Sequence, residues 1–582
     1  MPHSPASQQV PFSISPRFGA RYLVYLCLLL LLALLPRLYS VQQLGWHWDY
    51  PGSFTLVNFD EGGSCRAALE GFSYSTFVGR QTIAIDAALG FGPPQDITGD
   101  ARAVKSYCQS ARHIAVARNY SAVSGALTAV AIAVIGLLLV PTLPGVGWTA
   151  GVLVALSGFH ISESHSGTVD APSTFFIYAF IALMVLAVTR KRRALLFASP
   201  LLLVPAIWTK YWVFAVFAYL ALVPPKAWDY VTHGMSRWRI ALLILATAVL
   251  AGFISNADFQ GSALYPLLAV WYLVIPWRRV HRPMAVVWLL LPPLAWLLCS
   301  IDLVASYTTG GMAGRFGSGY AAIGWHKWLR NLVNIPLVMI VGLGLPACVF
   351  IPAGVVALCR DRDISRAWLC LSPLLVFALF MAFLSPVTYY RHYLPLLPAA
   401  ALLAALGLFA GSWARRRGFM ALFFLWPALL AVDLVGDYHS DPRIELRQWY
   451  REHPAAQVFF SYYVSPPPAA LEGSRLFTPE YAAGDAGRMR QAQYLILSEN
   501  WYDTAFANEL NGPLINDPAR LIKTRPEYTR FYRDALANRH PHLVQEELIA
   551  VNNFMPELVL HRHFYGTFQL FVGDLRIFRV VD

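Results

Sequence analysis

The chain has 582 residues, of which 57% are hydrophobic and only 13% charged, against about 25% charged in soluble domains. The formal net charge of +12 would suit nucleic acid, but the basic residues sit in short clusters between apolar runs, the pattern of cytoplasmic membrane loops. That placement excludes a nucleic-acid partner and predicts an α-helical polytopic membrane protein.

Taken in chain order, an N-terminus of about residues 1–21 carries Arg17 and Arg21 and belongs in the cytoplasm. The first apolar run, about 22–40, is preceded by a long polar stretch and followed by no good small-residue cleavage site, so it reads as an uncleaved span. A first outer loop of about 41–117 follows. Helices are then expected at about 118–140, 146–161 and 169–189, the last ending on Arg190-Lys191-Arg192-Arg193. Residues 195–223 are too long for one span and contain Trp208-Thr209-Lys210, which predicts two short helices meeting outside at the lysine. Further helices fall at about 239–255, 262–277, 284–300, 331–358, 367–385, 393–411 and 418–435. This tally of about thirteen spans puts the major basic clusters on the cytoplasmic side; merging 195–223 into one span would invert every later loop. The transmembrane domain thus covers 22–435, and residues 436–582 form a C-terminal extracytoplasmic α/β domain. In it IELRQWYREHP reads as a helix, VFFSYYV and QYLILS as short buried strands, and YGTFQLFVGDLRIFRV as a hairpin around Val572-Gly573-Asp574.

Ionisable residues collect on the predicted outer face. Asn58-Phe59-Asp60-Glu61-Gly62-Gly63 places paired acids just past the first span. Adjacent carboxylates repel, which favours one that takes up a proton; the plainer reading is a solvated turn. His160, Glu163, His165 and Asp170 lie between the third and fourth helices, where Asp170 can equally cap a helix. Glu163 and His165 are two apart and could reach a metal, although His-x-Glu spacing alone is weak evidence. The cations Lys210, Arg315, His326, Lys327, Arg391 and His392 share that face. They suit a lipid phosphate, or simple anchoring among the flanking Trp and Tyr residues. Cys65 and Cys108 share the first outer loop, where a disulfide can form; the other five cysteines lie in or beside spans.

FDEGG, ARNYSAVSGALTAVAI, SHSGTVDAPSTFF, WTKYW and YYRHYLPLLP, in this order and on one face, resemble the motifs of GT-C fold, polyprenyl-phosphate-sugar-dependent glycosyltransferases. These are the protein O-mannosyltransferase, aminoarabinose transferase and galacturonosyltransferase-like group. The resemblance covers about 20–410 and implies an inverting membrane glycosyltransferase. It would move a sugar from a polyprenyl-phosphate donor to a glycan, lipid or protein hydroxyl on the outer face of the bacterial cytoplasmic membrane. It implies Asp60 as general base and Glu61 as its support or as a holder of acceptor or metal. Asp170 would shape the sugar and acceptor pocket. Lys210, Arg391 and Arg118 would bind the donor phosphate. No cofactor is certain; a divalent metal is the one candidate, with Glu163, His165 and His326 as acceptor or metal residues. The rivals are a secondary transporter, a lipid-linked glycan ligase or polymerase, and an inactive GT-C scaffold.

Overall fold

A computed structural model describes residues 19–43, 60–70, 76–190 except 95, single positions between 195 and 210, 325–360, most of 364–439 and stretches of 442–581. The expected helices at 239–255, 262–277 and 284–300, most of the 195–223 pair, and Arg315 lie outside the described residues.

The apolar runs form helices close to where the sequence puts them. These are α1 (Ala20–Gln43), α5 (Ala111–Leu139) and α8 (Asp170–Thr189), followed by α11 (Ile364–Leu379), α12 (Leu396–Ala410) and α13 (Arg417–His439). The first outer loop adds α2 (Gly63–Glu70), α3 (Phe77–Ala88) and α4 (Ala101–Cys108). Among the described residues three helices are long and apolar enough to cross a membrane, or up to five if each of two bent pairs is one span.

Those two pairs correct the sequence reading. The run expected as one helix over 146–161 is α6 (Pro144–Ala155) and α7 (Gly158–His165), bent by 53°. Arg37 of α1 explains how the break is tolerated. Its buried guanidinium donates to the carbonyls of Val154 (3.2 Å) and Ala155 (3.1 Å), and to Ala33 (2.7 Å) in its own helix. The Ala155 carbonyl at the end of α6 is thereby satisfied, and the Val154 carbonyl gains a second donor beside Ser157 N. The run expected as one helix over 331–358 is α9 (Trp325–Leu343) and α10 (Leu345–Arg360), bent by 117° around Gly344. Each pair is a broken span or a re-entrant loop, and the described residues do not confirm the count of about thirteen.

The bundle packs around α12, buried from Leu396 to Leu408 and apolar all round, as a central helix must be. It meets α6, α10 and α11. At its crossing with α10 a Cβ on Gly354 would lie 2.0 Å from the Leu403 oxygen, and one on Gly407 would lie 2.0 Å from the Phe350 oxygen. The two backbones touch there, which only glycine allows, the small-residue packing typical of membrane helices. In contrast α1 presents Leu23, Val24, Leu28, Leu31 and Leu35 outward, and α13 presents Leu422, Leu425 and Leu429.

The C-terminal residues form α14 (Arg443–Glu452), α15 (Glu499–Tyr502), α16 (Pro526–Leu536) and five strands: β1 (Val458–Phe460), β2 (Ser474–Leu476), β3 (Tyr494–Ser498), β4 (Leu543–Ile549) and β5 (Leu575–Val580). The sheet order is β2-β1-β3-β5-β4, with β2, β1 and β3 parallel and β5 antiparallel to β3 and β4. Both faces are covered. Leu495 and Leu497 of β3 pack with Phe531 and Tyr532 of α16, while Ile496 packs with Leu446 and Trp449 of α14. The expected α14, β1 and β3 are present. The arm before Gly573 lies outside the described residues, and β5 beyond it pairs with β4 and β3.

Candidate functional site

The acidic turn Asp60-Glu61-Gly62 opens directly into α2. Gly62 has φ +77, and a Cβ there would sit 2.5 Å from the carbonyl oxygen of Cys108. The turn is therefore seated against the end of α4, and the disulfide between Cys65 and Cys108, 43 residues apart, fastens it. A second tie joins α3 to the start of α5. Buried Asp86 pairs with His113 Nδ1 (2.6 Å) and accepts from the Tyr107 hydroxyl (2.6 Å). Burial, with Asp86 beside it, pushes the Tyr107 hydroxyl above its ordinary value, so it stays a donor.

From this platform three acid–cation pairs are built. Glu61 takes Arg118 of α5 in a fork, Nε to Oε1 at 2.7 Å and Nη2 to Oε2 at 2.9 Å, with both side chains buried. Glu61 Oε1 also accepts the backbone N–H of Gly167 at 2.8 Å. The first outer loop, α5 and the segment leading into α8 are thus held by one carboxylate. Asp60 pairs with Arg391 Nη2 at 2.6 Å. Arg391 lies in the 3₁₀ turn Tyr390–Tyr393 before α12. This pair is the more open one, its side chains 30% and 13% exposed. Asp170, the first residue of α8, pairs through Oδ1 with Lys210 Nζ, both buried.

Glu163 of α7 joins the last two pairs. It interacts electrostatically with Asp170, Arg391, Lys210 and Asp60, and Lys210 in turn with Arg391 and Asp60. Asp60, Glu163, Asp170, Lys210 and Arg391 therefore form one cluster, with Glu61 and Arg118 beside it as a closed pair. Tyr178, two turns along α8 from Asp170, holds the two halves together. Its hydroxyl donates to Pro395 O (2.6 Å) and accepts from Ala399 N (3.1 Å), groups that would pair with each other in a regular helix. The helix carrying Asp170 is so locked to the turn carrying Arg391.

The other sequence candidates fall elsewhere. His165 Nε2 is 3.1 Å from the carbonyl oxygen of Pro36, which directs the ring toward α1. His326 lies in the first turn of α9 and its side chain is outside the described residues. Among the described residues no group of three or more His, Cys, Asp or Glu is placed to hold a metal. Of the metal candidates, Glu163 lies in the cluster and His165 is turned away from it. Sequence reasoning missed Tyr178 and Arg37. An arginine inside the apolar run LLPRLYS was a signal; a tyrosine in an apolar helix is none.

No family model and no curated protein sequence matches the chain. Among solved structures it is similar to three crystal structures of the oligosaccharyltransferase of Archaeoglobus fulgidus. For the complex with Zn and sulfate the identity is 12%, covering 84% of this chain and 70% of that one, with a TM-score of 0.47. For the form tethered to an acceptor peptide containing the NVT sequon the values are 12%, 86%, 72% and 0.48. For the apo form they are 10%, 87%, 72% and 0.49. Each is a likeness in overall fold; at these TM-scores it assigns no residue a role and says nothing of the chemistry.

Proposed function

We propose that this protein is an inverting membrane glycosyltransferase of the GT-C type. It would transfer a sugar from a polyprenyl phosphate to a hydroxyl of a glycan, lipid or protein on the outer face of the cytoplasmic membrane. The observation that carries the reading is the convergence of two acid–cation pairs, Asp60–Arg391 and Asp170–Lys210, around Glu163. It adds to the motif resemblance of FDEGG, VDAP, WTKYW and YYRHYLPLLP.

The chemistry needs a base for the acceptor and cations for the leaving group. Asp60, the most open acid of the pairs, takes the acceptor proton. The acceptor oxygen then attacks the anomeric carbon, and the electron pair of the breaking sugar–oxygen bond passes to the phosphate. Arg391 and Lys210 neutralise that phosphate, fixed cations being the strongest form of such help away from water. Before donor arrives, each cation is held by an acid. Donor phosphate draws Arg391 away from Asp60, and this frees the carboxylate to act as base. Glu61 and Arg118, closed on each other, position the acidic turn and touch neither substrate. The C-terminal α/β domain covers the outer mouth and meets the acceptor.

The test is transfer by the purified full-length protein in lipid nanodiscs, from a panel of polyprenyl-phosphate sugars to an envelope extract. Asp60→Asn should cut transfer by about 10²- to 10⁴-fold, the usual worth of a general base. Undiminished transfer in that variant would remove Asp60 from the reaction. Movement of a free solute into vesicles would replace the enzyme reading with a transporter.

A further inference from the structure

Among the described residues, the stretch from Glu163 in α7 to Asp170 at the start of α8 leaves four buried side-chain oxygens with no hydrogen-bond partner: Glu163 Oε1, Ser166 Oγ, Thr168 Oγ1 and Asp170 Oδ2. None of the four residues is more than 1% exposed. Buried polar atoms are nearly always paired, so four orphans within eight residues call for an explanation. The segment itself is well held. Gly167 N is taken by Glu61, His165 contacts Pro36 O, and the Ser173 and Thr174 hydroxyls donate back to Asp170 O. The orphans therefore belong to a fixed wall.

The chemistry of the wall selects its ligand. Carboxyl oxygens accept hydrogen bonds, a protonated carboxyl also donates one, and hydroxyls donate and accept. A phosphate has Lys210 and Arg391 in the same cluster, and the Asp170 carboxylate repels it from the orphaned oxygens. What satisfies two carboxyl oxygens and two hydroxyls, next to a phosphate subsite, is a ring carrying several hydroxyl groups. We infer that Glu163, Ser166, Thr168 and the free oxygen of Asp170 form the subsite that recognises hydroxyl groups of the transferred sugar, with Glu163 its specificity-determining residue. This rests on the lipid-phosphate-sugar reading above and adds to it the residues that choose the sugar.

The experiment measures binding of mannosyl, glucosyl, galactosyl and arabinosyl citronellyl phosphates to the full-length protein, with methyl citronellyl phosphate as a sugar-free diester of equal charge. The readout is the ratio of dissociation constants, methyl over glycosyl. Wild type should favour one glycosyl diester by about tenfold or more, and Glu163→Gln should lose about tenfold of that preference, or 1.4 kcal/mol. Its affinity for the methyl diester should hold, because Lys210 and Arg391 stay in place. Thr168→Val and Ser166→Ala should lower the same ratio, which covers a Glu163→Gln that does not fold. An unchanged ratio in all three variants overturns the inference. So does a wild type that binds every diester equally, and this leaves the donor reading standing. A wild type that binds no diester at all removes the donor reading and the inference with it. Loss of the preference on adding EDTA to wild type would mean that the carboxylates hold a metal, and overturns the inference too.

Discussion

Glu61 and Asp60 are neighbours in the chain with opposite surroundings. Asp60 is partly open and faces one arginine, whereas Glu61 is buried and takes three hydrogen bonds. Glu61→Ala would take the carboxylate from the buried Arg118 guanidinium, and about 3–5 kcal/mol of stability should go with it. The Glu61→Ala/Arg118→Ala double variant should be less damaged than the two single losses added together, read from unfolding midpoints in detergent. Arg391→Lys keeps the charge but loses the planar fork, so donor KM should rise about tenfold while the fold is intact. The sequence singled out Asp60, Glu61, Arg118, Asp170, Lys210 and Arg391 one by one. Their pairing was not legible, because Asp60 and Arg391 stand 331 positions apart and only packing brings them together. Glu163 and His165 looked alike in sequence; one joins the cluster and the other turns to Pro36 O.

At the scale of elements, apolar length located the helices but not their breaks. A run such as 146–161 has span-like composition whether or not it bends, and the reason for its bend sits on another helix, at Arg37. The crossing of α10 and α12 was equally hidden, since Gly354 and Gly407 are ordinary glycines until their backbones meet. Gly407→Val should cost at least about 1–3 kcal/mol by overpacking, and more because the nearest atom is backbone. Protease susceptibility of the bundle would show it. The Cys65–Cys108 bridge closes a loop of 43 residues, worth about 4 kcal/mol in the chain-entropy account. Reductant should therefore loosen the first outer loop, seen as faster hydrogen exchange over α2 and α4 in the absence of any change in α8.

For the whole molecule, outward leucines along α1 and α13 would form an aggregation surface in water and form a lipid-facing one in a bilayer. The C-terminal sheet domain has a core of its own and a histidine whose titration is tied to its fold. Burial and the nearby His542 lower the pKa of His540, against a smaller opposing pull from Asp534. The unfolded chain then binds a proton that the folded domain refuses, so stability is full above the ordinary histidine value of 6.5 and is lost as pH falls below it. Hydrogen exchange of β4 in the full-length protein should quicken between about pH 7 and pH 5, and His540→Gln should flatten that dependence.

The spacing of the ion pairs also fixes a timetable. A ribosome supplies Glu61 and Arg118 within 57 residues of each other, and Asp170 and Lys210 within 40, but Asp60 must wait 331 residues for Arg391. Two pairs can therefore close while the chain is still being made, whereas the pair that holds the proposed base closes late. A nascent chain halted anywhere before Arg391 has an acid at the mouth without the cation that completes the phosphate subsite. On the proposed mechanism, no translation product that stops short of Arg391 can turn over a lipid-linked sugar.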